Sequence, residues 1–209
     1  MRQRTRQLLA LLCGGGTVAA IQLPADAAGL GAVAGGCQVS ANVTVNPGLT
    51  LSNRQFSYSY SGQLSGCFYT GNGAASGGLI TAGRVITING RDYQEPAPAG
   101  SGSCLVTSAA GYDFTRWNNG EQTIVKFAAT SVGGVTTITG KVVPSLVLRA
   151  VNPAPDEPPS ATFVTTMFSG QSVAGVVDFG APDTSVCLTP RGLINATIVG
   201  ALTHVGVGN

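Results

Sequence analysis

The stretch YDFTRWNNGEQTIVKFAATSVGGVTTITGKVV, Tyr112 to Val143, decides the fold. Asn119-Gly120 is the residue pair preferred in a two-residue type I′ hairpin, where both central residues need positive φ. A turn centred there predicts that Tyr112 lies opposite Phe127 and Phe114 opposite Val125, all on one apolar face. Asp113 then falls opposite Lys126 on the other face. Aromatic and opposite-charge pairs are the cross-strand contacts that stabilise a half-buried sheet, and the pairing register decides which face each residue occupies. A second turn at Gly133-Gly134 places Val142 beside Val125, Gly140 beside Phe127 and Ile138 beside Ala129. The stretch therefore reads as a three-stranded antiparallel meander.

The same period of two continues outward in both directions. Upstream, Val39, Ala41, Val43 and Val45 alternate with Ser40, Asn42 and Thr44, and Asn46-Pro47-Gly48 supplies turn chemistry. Phe56, Tyr58 and Tyr60 alternate with Ser57, Ser59 and Ser61. Leu79 to Ile88 reads as a strand weakened at Ala82-Gly83, and Asn89-Gly90 turns it into Arg91-Asp92-Tyr93. Glu95 to Ser103 reads as a loop, and a further strand starts at Cys104. Downstream, Leu146 to Val151, Thr162 to Phe168, Val173 to Phe179 and Leu193 to Val205 read as strands. The Pro-rich Asn152 to Ser160 reads as a rigid connection between two sheets. No stretch keeps helical periodicity. About ten to twelve short strands with frequent Gly, Asn and Pro turns predict an all-β fold, an antiparallel β-sandwich, immunoglobulin-like or related.

The beginning of the chain reads differently. Arg2, Arg4 and Arg6 precede an apolar run from Leu8 to Ile21, and Ala25-Asp26-Ala27 has the small-x-small form of a cleavage site. Residues 1–27 are therefore expected to be a signal peptide, with a mature start at Ala28 and a flexible Gly-rich segment over 28–36. Residues 37–209 are expected to form one domain. Cys13 is read as an apolar member of the leader, since Ala10-Leu11-Leu12 lacks the small residues that precede a lipidated Cys. The run is short for a membrane span, which takes about 20 apolar residues, and no later stretch qualifies.

The leader also accounts for the charge. The chain has 11 basic and 9 acidic residues, of which residues 1–27 hold three Arg and one Asp, leaving eight of each. The basic balance of the whole chain therefore gives no support for nucleic-acid binding, which needs a basic patch on the folded domain. Four cysteines remain, Cys37, Cys67, Cys104 and Cys187. An even number in an exported chain reads as disulfides. Cys37 and Cys67 flank one Pro-Gly-centred hairpin region, which predicts Cys37–Cys67 and hence Cys104–Cys187, the latter tying the strand entering the meander to a late strand.

Chemistry is sparse in what is left. His204 is the one imidazole, near the chain end in the last strand, and is expected to be structural rather than catalytic. Asp113 is assigned to Lys126, and Glu121 to the turn. Asp156-Glu157 offers too few oxygens for Ca²⁺. One His and no close Cys pair argue against zinc. The expectation is therefore no catalytic residue, no metal and no cofactor. Trp117, Tyr58, Tyr60 and Tyr93 are the candidate ligand contacts. Tyr58 and Tyr60 read first as a core-facing row, and Trp117 first as a rim residue capping the core, because Trp is usually largely buried. The alternative is a stacking surface for sugar rings. Three functions follow: a non-catalytic envelope or extracellular interaction module, a carbohydrate-binding module using these aromatics, and a secreted hydrolase. The first is preferred, with an envelope or extracellular partner, a glycan among the candidates.

A leader, Cys37, Asn46-Pro47-Gly48-Leu49, Cys67, Ser103-Cys104, Trp117-Asn118-Asn119-Gly120, Val132-Gly133-Gly134-Val135 and Cys187-Leu188-Thr189-Pro190 occur in that order. In this the chain resembles the small exported four-cysteine β proteins of high-GC Gram-positive bacteria, a group without an established activity. The resemblance covers nearly all of the chain after the leader. It implies export, an all-β fold and disulfides, and it implies no site residues. The Pro-rich segment at Asn152 to Ser160 departs from the short connection usual in that group, which affects the strand pairing after Leu146.

Overall fold

A computed structural model describes residues 33–69, 75–180 and 184–205. The expected leader and residues 28–32 lie outside the described residues. Among the described residues there are thirteen strands, beginning with β1 (Val33–Leu49), β2 (Arg54–Tyr69), β3 (Gly78–Ala82), β4 (Val85–Ile88) and β5 (Arg91–Gln94). They continue with β6 (Ala99–Gly102), β7 (Val106–Trp117), β8 (Gln122–Val132), β9 (Val135–Val143) and β10 (Ser145–Ala150). The last are β11 (Ser160–Val164), β12 (Ser172–Gly180) and β13 (Leu193–Val205), with a 3-10 turn at Thr184–Leu188. β1 begins four residues before Cys37, so 33–36 belong to a strand.

The larger sheet runs β1-β13-β12-β9-β8-β7-β3-β2 and returns to β1, because β1 pairs with β2 as well as β13. It is a closed eight-stave antiparallel barrel, where two packed sheets were expected. Both architectures bury every second residue, so period-two alternation does not separate them. Closure comes from β1, which has neighbours along both edges and leaves no exposed edge. One stave is in two pieces. β3 covers β2 at Tyr60–Leu64 and β7 at Phe114–Trp117, while β6 covers β2 at Arg54–Ser57 and β7 at Thr107–Ala110. Between these pieces the chain leaves the wall at Gly83, forms the β4–β5 hairpin, and returns through Pro98. A Cβ on Gly111 would meet Pro98 Cβ at 2.6 Å, so only glycine lets the returning chain seat there.

β4, β5, β10 and β11 form a second, four-stranded sheet in the order β11-β10-β5-β4. It packs on the outside of the barrel, with Ile86, Tyr93, Leu148 and Phe163 over Phe114 and Ile124. Phe114 and Phe163 meet edge to face at 5.3 Å. The Pro-rich segment therefore joins neighbouring strands β10 and β11 of one sheet instead of linking two sheets. Its Glu157 pairs with Arg91 at 3.3 Å. The strand expected over Leu79 to Ile88 is split at Gly83 between the two sheets, and β6 lies within the expected loop Glu95 to Ser103.

The meander forms with one change. The β8–β9 register is as expected, with Val125 opposite Val142, Phe127 opposite Gly140 and Ala129 opposite Ile138. The β7–β8 register is one residue away: Asp113 lies opposite Val125, Tyr112 opposite Lys126 and Phe114 opposite Ile124. The cause is the turn. Gly120 has φ 88° while Asn119 is not in the left-handed region, and Gly120 N donates to Trp117 O as Trp117 N donates to Glu121 O. This is a three-residue loop, a type I turn closed by a left-handed glycine, and not the two-residue type I′ turn. A one-residue slip exchanges the faces of a strand. Asp113 therefore points inward with Val125 and Phe127, and Phe114 points outward beneath the second sheet.

Both disulfides form as expected. Cys37–Cys67 joins β1 to β2, and Cys104–Cys187 joins the approach to β7 with the 3-10 turn. Two such bridges fit an oxidising, extracellular environment. Among the described residues no helix is long and apolar enough to cross a membrane. The outward positions of the barrel are largely polar, as with Gln38, Ser40, Asn42 and Thr44 on β1, whereas a lipid-facing barrel carries an apolar band outside.

Candidate functional site

Period-two alternation sends the apolar half of every stave inward, and an eight-stave barrel has an interior just wide enough for side chains or one small ligand. Here the side chains leave a cavity of about 90 Å³. Phe56, Tyr58 and Tyr60 line it from β2, Phe127 from β8, Ile138 from β9 and Phe179 from β12. Small residues in the same lining, Ala41, Ala109 and Ala129, make the room. The aromatic row of β2 thus forms one wall, with Tyr58 and Tyr60 ring centroids 6.2 Å apart.

One end of the barrel is stoppered. Phe168 stacks on His204 at 4.3 Å and approaches Tyr69 at 4.8 Å and Trp117 at 5.6 Å. Trp117 Nε1 donates to Thr123 Oγ1 at 2.8 Å, and Thr123 Oγ1 donates to the Met167 carbonyl at 2.9 Å. The backbone N–H groups of Thr166 and Met167 both reach the Gln122 carbonyl. Phe168 has φ 64°, a conformation that costs a bulky residue free energy and that its packing sustains. Residues 165–168 therefore do not extend β11, as alternation had suggested; they cross the barrel end as its plug.

Asp113 is the one carboxyl among the residues lining the lumen, beside the hydroxyls of Thr107, Ser131 and Thr136. It is 7% exposed, and its Oδ1 has no hydrogen-bond partner in the protein. Burial, and then the negative charge of Glu95, push its pKa up to about 8. Burial likewise raises the phenols of Tyr58 and Tyr60, with the Asp113 charge adding to both. A second cavity of about 10 Å³, roughly the room one water needs, is lined by Asp113, Thr115 and His204. His204 is buried, its Nδ1 has no partner in the protein, and burial lowers its pKa to about 4. Outside the wall Glu95 is fully buried, accepting from Thr81 Oγ1 at 2.6 Å and from Arg84 N at 3.1 Å. Burial still raises its pKa above the usual carboxylate value.

The aromatics singled out in the sequence fall in three places. Tyr58 and Tyr60 share the lumen, Trp117 is in the stopper at 4% exposure, and Tyr93 is buried between the outer sheet and the barrel. They make no common surface, and none of Trp117, Tyr60 and Tyr93 is exposed for stacking on a sugar. The pairing of Asp113 with Lys126 is corrected: the register puts them on opposite faces. Sequence reasoning put Phe127 and Ile138 on an apolar face, as observed, but turned Asp113 away from it and named none of them as lining a lumen. The available signal was only that Asn119-Gly120 also suits a three-residue turn, which shifts the register by one residue and turns Asp113 inward. Among the described residues there is no group of three potential metal ligands. No protein-family model matches the chain, and no curated protein or solved structure matches it.

Proposed function

We propose that this chain is an exported, non-catalytic binding protein of the cell envelope or extracellular space, and that its binding site is the barrel lumen. The observation that carries this reading is the cavity of about 90 Å³ enclosed by aromatic and aliphatic walls in a disulfide-bonded barrel. Concave, mostly apolar sites with a few placed polar groups are where small molecules bind. At about 90 Å³ the cavity is smaller than the apolar cavity of about 150 Å³ that takes benzene, so its size sets a compact apolar ligand no larger than benzene, or the end of an alkyl chain, as the upper bound. Burial that lowers the His204 pKa to about 4 makes it a weak base, which supports the non-catalytic reading.

The test is thermal unfolding of the oxidised protein in buffer and in benzene-saturated buffer. A ligand that binds only the folded state raises the midpoint by mass action. The midpoint rises for the parent protein and does not move for Ala129→Leu, which places a larger side chain in the same space. A parent midpoint that benzene leaves unchanged contradicts the reading.

A further inference from the structure

The lumen lining is mostly apolar, with the hydroxyls of Thr107, Ser131, Thr136, Tyr58 and Tyr60 and one carboxyl, Asp113, which is the side chain costliest to bury. An unpaired polar group taken from water loses the hydrogen bonds water gave it, and a carboxyl in such a place does so unless something bonds to it. Asp113 is more than nine-tenths buried, lines the lumen wall, and leaves Oδ1 without a partner in the protein. Phe127 on the neighbouring β8 and Tyr58 on β2, beyond the β3/β6 stave, line the same cavity, so a molecule held between those rings lies within the space the carboxyl faces. We propose that Asp113 is the polar recognition point of the lumen, and that the ligand class is a small neutral apolar molecule carrying one oxygen acceptor, a ketone or an ether-like or hydroxyl oxygen, which accepts the carboxylic O–H. This rests on the lumen being a binding site at all.

Two arguments fix the class. First, the groups facing Asp113 make its neutral form the stable one. Tyr58 and Tyr60 of β2 are un-ionised phenols, His204 of β13 is held neutral by burial, and Glu95 contributes only negative charge. The neutral Thr115 and the apolar Ile80, Val125, Val173 and Leu202 are also in its surroundings. No cation is among them, so the acid keeps its proton at neutral pH and acts as a donor, as a carboxylic acid in an apolar site does. Second, a cationic ligand would bring a second charge into the same apolar space, and the desolvation of two ions exceeds what their attraction returns unless further hydrogen bonds complete the pair. A neutral acceptor needs neither. Rejection of the hydrocarbon analogue then follows from leaving a buried donor unmade.

The experiment compares cyclopentanone with methylenecyclopentane, which has the same shape without the oxygen, by calorimetric titration of the oxidised protein and of Asp113→Asn and Asp113→Leu. Both substitutions remove a buried acid without adding charge, so both variants are expected to fold. For the parent at pH 6.5 the ketone binds at least tenfold more tightly than the hydrocarbon. Asp113→Leu abolishes the preference while keeping hydrocarbon binding. Asp113→Asn keeps it, because the amide still donates. The parent's preference fades as the pH rises past about 8, where the carboxylate can no longer donate, and that of Asp113→Asn does not. If both molecules bind the parent equally and neither Asp113→Leu nor pH alters the ratio, Asp113 is satisfied by water alone and the inference is overturned while the lumen reading stands. If neither molecule binds the parent, the lumen reading itself fails.

Discussion

Asp113 stands directly opposite Val125 in the β7–β8 ladder, and the carboxyl so placed shares a small cavity with His204 of the last strand. The two groups set a stability profile. Unfolded, Asp113 ionises near pH 4 and His204 takes a proton below about pH 6.5. Folded, Asp113 keeps its proton to about 8 and His204 stays neutral to about 4. Between those acid values, unfolding releases one proton and takes up another, so the two contributions cancel. From about pH 6.5 to 8 only Asp113 differs, the folded state holds the extra proton, and unfolding becomes easier by about 1.4 kcal/mol per pH unit. Urea denaturation at several pH values is expected to show this fall. Asp113→Asn is expected to remove it and to be more stable than the parent at pH 8. Stability that rises over the same range in the parent contradicts the placement of Asp113. Glu95, raised in the same direction, adds a further loss beginning nearer pH 4.5.

Trp117 is expected to report a buried indole. Its N–H is committed to Thr123, and Thr123 passes the bond on to Met167. Thr123→Val leaves a buried donor unmet and is expected to cost about 1–3 kcal/mol. Fluorescence of the parent is expected to be blue and indifferent to soluble glycans. A red emission that shifts on adding a glycan would place Trp117 at a sugar-binding surface.

The turn at Gly120 makes the register of the whole barrel testable. A φ of 88° is strained for any residue with a Cβ, at roughly 1–2 kcal/mol for the left-handed region. Gly120→Ala is expected to destabilise by about that amount. Asn119→Ala is expected to cost less, because the two-residue turn in which Asn119 would also be left-handed does not form. Equal, large losses at both positions would point back to the type I′ turn and the other register.

The Cys104–Cys187 bridge spans 83 residues of chain. Removing it from the unfolded ensemble's constraints is expected to lower stability by about 4 kcal/mol on the chain-entropy account. Cys104→Ser with Cys187→Ser, measured by urea denaturation, checks this. An unchanged midpoint would mean that the 3-10 turn contributes nothing through its tether.

Alternation made much of the fold legible. The faces of β1 and β2, the Gly133-Gly134 turn, the span of β13 and both disulfides follow from residue types and spacing. Closure did not, because an inward apolar face looks alike in a sandwich and in a barrel, and only the double pairing of β1 distinguishes them. Asp113 was misplaced because Asn-Gly suits two turn lengths that differ by one residue, and one residue inverts a strand. Phe168 was read into a strand because nothing local marks a left-handed phenylalanine that tertiary packing holds in place. The lumen was therefore invisible in the sequence even though Tyr58 and Tyr60 were correctly expected to face inward: a cavity is set by which staves stand opposite each other, and that is a property of closure.

The most direct measurement is a crystal structure of the oxidised protein under xenon pressure. The account predicts xenon inside the barrel, between Tyr58, Phe127 and Ile138 and on the lumen side of the Trp117–Phe168 stopper. A lumen closed by side-chain repacking, or one that holds only a hydrogen-bonded water chain and admits no xenon, would contradict it.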